Sequence, residues 1–144
     1  MISRILIGAC AAVILFLGNV HLAYTFFTHK FSPSQGQLET TMKQVAPRIS
    51  GEMTMWKAWI GFNVSHSMGL ILFGLIFGYL TMCRWEVLLH SYFLAGLGLL
   101  VLVIYIVLAH TYWFRAPLMG VSLATLFYVA GLLGHLPAHE TQLG

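Results

Sequence analysis

The chain has 144 residues, of which 59% are hydrophobic, 14% aromatic and 8% charged, with a net charge of +3 and a mean hydropathy of +0.85; an ordinary soluble domain carries roughly 25% charged residues. Its seven basic and four acidic residues leave uncharged stretches at 5–29, 58–83, 87–114 and 116–139, each longer than the about 20 apolar residues that cross a hydrocarbon core of roughly 30 Å. These figures exclude a soluble catalytic domain, and the scattered cations exclude a basic patch dense enough for nucleic acid.

The first span is expected at about 5–27. Met1 to Arg4 followed by an apolar run is how a signal peptide starts, but only about five apolar residues precede Cys10, fewer than the 7–15 of a signal core, and the run continues to Phe27. The segment therefore reads as a retained span, ending in the interfacial aromatics Tyr24, Phe26 and Phe27 before His29 and Lys30. A polar loop at about 28–54 follows, punctuated by Pro33 and Pro47. Within it, Ser34 and Gln37 have the spacing of a capping box. Leu38, Met42 and Val45 recur at i, i+4 and i+7, which predicts a short amphipathic helix on the membrane surface.

The second span, about 55–82, opens on the anchor Trp56, Lys57 and Trp59, and Cys83 to Glu86 is short enough for a tight turn only. The third span is expected at about 87–110. An aromatic turn at 111–117 places Pro117 at the first position of a fourth span at about 117–136, where its missing N–H costs nothing, and Pro137 closes that span. All four prolines lie outside the spans or at their ends, which predicts unbroken helices and disfavours the discontinuous helices of many transporters; a small transporter or channel remains a third functional reading.

The fold class expected is all-α: an integral membrane four-helix bundle running up-down-up-down, one transmembrane domain over residues 1–144. Small residues mark packing faces: Ala11, Gly18 and Thr25 in the first span; Ser67, Gly74 and Gly78 in the second; Gly96 in the third; Gly120, Ala124 and Gly131 in the fourth. Such faces serve the bundle itself, a homo-oligomer or a membrane-protein partner equally. The positive-inside rule puts the large loop in the cytoplasm, whereas hairpins with a short Arg-containing turn often run the other way; both orientations stay open. Cys10 and Cys83 are too far apart for a C-x-x-C motif and read as small apolar residues.

There is no Asp, and none of the four Glu lies within an expected span, which removes carboxylate proton relays, di-iron sites and Ser/His/Asp catalysis. The polar groups left in the spans are neutral. His21 lies nine residues before Lys30 and His66 nine residues after Lys57, so both sit about 13 Å below their boundary charges. His110, five residues before Arg115, sits about 8 Å from the same surface. With Asn63 and Ser67 on the His66 face, these residues form the candidate binding site: His21, His66, Asn63, Ser67 and His110. A His21/His66 pair on neighbouring helices suits the axial positions of a b-type haem, a copper or zinc ion completed by His110, or the head group of a quinone. The same groups also suit plain interhelical hydrogen bonding.

From Trp56-Lys57-Ala58-Trp59 through Asn63-Val64-Ser65-His66-Ser67-Met68-Gly69 the chain resembles a set of small, uncharacterised four-helix bacterial membrane proteins. The resemblance covers mainly the second span and brings no activity with it; it implies a bacterial inner-membrane protein in which Asn63 and His66 matter together. The function expected from the whole is a non-catalytic structural or accessory subunit of a larger membrane complex, one of energy conversion among the candidates. The alternative is a haem-, metal- or quinone-binding module.

Overall fold

The four charge-poor stretches become four long helices. The computed structural model describes residues 1–135, with six helices and no strand among them: α1 (Ile2–Phe27), α2 (Gly36–Gln44), α3 (Met55–Cys83), α4 (Trp85–His90), α5 (Tyr92–Tyr112) and α6 (Arg115–Leu133). By length and composition α1, α3, α5 and α6 can each cross a membrane. Leu136 and Pro137, which the sequence reading used for the end of the fourth span, lie outside the described residues.

Local chemistry sets where the helices begin. Thr54 caps α3, its Oγ1 accepting from Lys57 N–H at 3.3 Å. Pro117 falls in the first turn of α6, where its missing N–H is one of those a helix start leaves unpaired anyway. The third long helix starts at Tyr92, not near Val87: Ser91 adopts an extended conformation and its Oγ accepts from Leu94 N–H at 3.2 Å, so a new N-cap splits off 85–90 as α4. The capping box expected at Ser34 and Gln37 does not form. The cap residue is Gln35, with no side-chain hydrogen bond, and Ser34 sits one position too early. α2 is held instead by the Lys43–Glu39 pair (2.6 Å) and by Met55 N–H donating to Val45 C=O (2.8 Å), which closes the loop onto the start of α3.

The chain divides into two compact units, residues 18–69 and the remainder. In the larger, residues 2–17 of α1, 70–83 of α3, and α4, α5 and α6 enclose a core of Ile7, Cys10, Ile14, Phe73, Phe77, Leu88, Leu102, Val121 and Tyr128, among others. Close backbone approach explains its small residues. A Cβ on Gly74 would lie 2.9 Å from both Ala11 O and Leu15 Cα, and one on Gly131 would lie 3.0 Å from Ser3 O. Gly98, rather than the expected Gly96, is the packed glycine of α5: a Cβ there would meet the Phe77 ring at 2.7 Å, whereas nothing lies within 4 Å of Gly96. Tyr128 is fully buried, and its hydroxyl donates to Ala95 C=O at 3.0 Å. Arg4 donates from Nε to Thr81 C=O at 2.7 Å and from its terminal nitrogen to Met82 C=O, so the first turn of α1 caps the carbonyls that end α3. Cys10 is buried, Cys83 exposed, and both are free thiols.

The smaller unit, residues 18–69, holds the second half of α1, the polar loop with α2, and the first half of α3. Across the four long helices only 17–33% of the most apolar window is buried. Phe16, Leu72, Leu75, Ile76, Val107 and Leu126 all face outward. A helix apolar on every side needs an apolar surrounding.

Candidate functional site

The polar constellation lies in the smaller unit, where His21 of α1 meets Asn63 and His66 of α3. Asn63, His66 and Ser67 share a face of α3 because they are spaced i, i+3 and i+4. Asn63 is nearly fully buried. Its Nδ2 donates to Trp59 C=O at 2.9 Å. A carbonyl can only accept, so the amide nitrogen must point that way and Oδ1 must face His21, 3.0 Å from its Nε2. The proton of that hydrogen bond therefore sits on His21 Nε2; in the neutral imidazole this tautomer would leave the lone pair on Nδ1. One buried amide thus sets the tautomer of the histidine opposite.

The His66 ring stands edge-on to His21, with centroids 5.0 Å apart and planes at 71°. Phe31, from the loop, covers His21 at a centroid distance of 4.5 Å. The loop is pinned there because Trp59 Nε1–H donates to Phe31 C=O at 3.0 Å. Tyr24 packs edge-on against Phe31, and Lys30 Nζ rests 4.0 Å over the Tyr24 ring. The neighbouring hydroxyls are turned inward to their own helices: Thr25 Oγ1–H donates to His21 C=O, and Ser67 Oγ–H to Asn63 C=O, both at 2.9 Å.

The structure brings His21, Asn63 and His66 together. Ser67 is adjacent but fully buried, with its hydroxyl spent on the backbone. His110 belongs to the other unit and is exposed in the last turns of α5. Among the described residues no three His, Cys, Asp or Glu side chains gather as a metal site.

These distances bear on each ligand chemistry. A haem between two histidines sets their ring centroids about 6 Å apart along one axis, from metal–nitrogen bonds of about 2 Å. Rings in edge contact at 5.0 Å leave no slot for a porphyrin. One tetrahedral ion bound by two imidazoles sets the centroids about 5 Å apart, which matches, yet His21 and His66 supply only two of four donors. A quinone oxygen would compete with Asn63 Oδ1 for the His21 N–H.

Sequence reasoning missed Phe31 and Lys30, whose roles depend on the loop's path. It also missed a groove of about 430 Å³ bounded by Lys30, Phe31, Pro33, Leu38, Met42 and Trp59. The i, i+4 spacing of Leu38 and Met42 was the available signal. No protein-family model, curated protein or solved structure matches this chain.

Proposed function

We propose that the chain is a multi-pass integral protein of a bacterial inner membrane, its four long helices running up-down-up-down, and that it serves as a non-catalytic structural or accessory subunit of a larger membrane complex. The observation that carries this reading is the outward apolar surface: two thirds or more of each span's most apolar window is unburied, while the polar groups inside are committed to one another. Among the described residues every buried side-chain nitrogen or oxygen has a hydrogen-bond partner, so the interior is built for cohesion. Within the larger unit, the Arg4 bond to Thr81 and the approach of Gly74 to Ala11 and Leu15 support opposite directions for α1 and α3. Contacts with a partner would use the exposed aromatic and aliphatic rows, Phe93, Tyr112 and Phe114 among them. Purification from native membranes in mild detergent tests this: the protein is expected to run with a larger assembly at fixed stoichiometry. A lone 16.1 kDa monomer overturns it.

The close imidazole pair favours a second reading, a neutral site for a quinone or a two-histidine metal ion at His21 and His66. Its test is metal analysis and quinone extraction on protein from its native membrane, with His66→Ala as control. Absence of both ligands rejects it.

A further inference from the structure

The groove between the loop and α3 has the size, lining and charge of a lipid site. Its volume of about 430 Å³ lies within the roughly 300–1,000 Å³ of ligand sites. Phe31, Leu38, Met42 and Trp59 supply apolar walls, and the indole's one polar atom is already spent on Phe31 C=O. α2 has nine residues, none of them buried, too short a helix to be stable on its own; Leu38 is 49% exposed in the groove it lines. An occupant of the groove would add packing for α2.

Charge narrows the occupant. Lys30 and Ser32 are the polar residues of the groove. The Lys30 ammonium rests on the Tyr24 ring, which carries no net charge, and neither ion pair found among the described residues involves it. Residues 28–57 carry Lys30, Lys43, Arg48 and Lys57 against Glu39 and Glu52, and Glu39 is taken by Lys43 at 2.6 Å. A smaller cleft of about 160 Å³ that shares Phe31 and Ser32 is lined by His29 and Glu39 and not by Lys30, so the lysine belongs to the larger one. The groove also sits between the end of α1 at Phe27 and the start of α3 at Met55, where headgroups lie if both helices span.

We propose that this groove binds one anionic phospholipid, acyl chain along Leu38, Met42 and Trp59 and phosphate at Lys30 and Ser32. The proposal rests on the membrane reading above. The test is native mass spectrometry of the full chain in neutral detergent, titrated with phosphatidylglycerol or phosphatidylcholine. One phosphatidylglycerol is expected to be retained in preference to phosphatidylcholine. Lys30→Gln should lower that preference about fivefold, the value of about 1 kcal/mol per cation at an anionic surface. Met42→Trp, which fills the groove, should abolish retention of both lipids. Equal retention of the two lipids, or Lys30→Gln and Met42→Trp proteins that bind as the parent does, overturns the proposal. Equal retention of the two lipids by a parent protein that still needs detergent counts against the groove alone; a chain released from membranes by alkaline carbonate counts against the membrane reading itself.

Discussion

Replacing Gly74 with alanine adds one methyl group where α3 packs tightly against α1 in the larger unit. The new Cβ would lie 2.6 Å from Leu15 Cβ and 2.9 Å from Ala11 O and Leu15 Cα, whereas unstrained carbon contacts need about 3.5–4.0 Å. Two of these three atoms are backbone, so no rotamer change relieves the overlap, and α1 must move by roughly 1 Å. Overpacking of this kind costs about 1–3 kcal/mol, a fall of roughly 5- to 150-fold in the folding equilibrium. Gly96→Ala is the matched control: nothing lies within 4 Å of its Cβ, and alanine is favoured in a helix by up to about 1 kcal/mol. Both variants would be unfolded by SDS from neutral detergent micelles and followed by circular dichroism. Gly74→Ala is expected to unfold at a lower SDS fraction and Gly96→Ala at the parental fraction or above. Gly74→Ala behaving as the parent, or Gly96→Ala losing as much, would refute the packing derived for α1 and α3.

Three further outcomes follow from single contacts. A double-mutant cycle of His21→Leu and Asn63→Leu should give a coupling of about 0.6 kcal/mol, with about 1.7 as the ceiling for such bonds in a membrane protein; additive effects would mean the bond is worth nothing. Tyr128→Phe removes the hydroxyl from Ala95 C=O and should destabilise by about 1 kcal/mol, read in the same SDS titration, and an unchanged midpoint contradicts it. Trp59→Phe removes the donor that pins Phe31 over His21, so carbethoxylation of His21 by diethyl pyrocarbonate should speed up several-fold, with no change as the contrary result.

The long helices are legible in the sequence because uncharged, apolar stretches of 24 or more residues are long enough for helices that could cross a membrane. Counting from Lys30 and Lys57 sets His21 and His66 at matching positions along their helices, and the structure brings the two together with Asn63. What stayed hidden depended on geometry that apolar runs do not encode. α5 is apolar on every side, so nothing in its pattern distinguishes Gly98, which packs, from Gly96, which does not. The break at Ser91 lies inside an uncharged stretch, and its only local mark is a serine able to cap. Phe31 reaches His21 through a loop whose path is set by a long-range bond from Trp59, 28 residues away. The caps at Arg4 and the groove at Lys30 likewise join residues distant in the chain.

Sidedness of labelling decides whether the helices cross. Cys83 is an exposed native thiol at the end of α3, and Cys10 is buried; Thr40, on α2, is exposed and lies in the loop before α3 begins. A membrane-impermeant maleimide applied to intact cells and to inverted vesicles should label Cys83 in one preparation only. Thr40→Cys, in a Cys83→Ser background, should be labelled only in the other. Labelling of both thiols from the same side would mean that α3 does not traverse the bilayer.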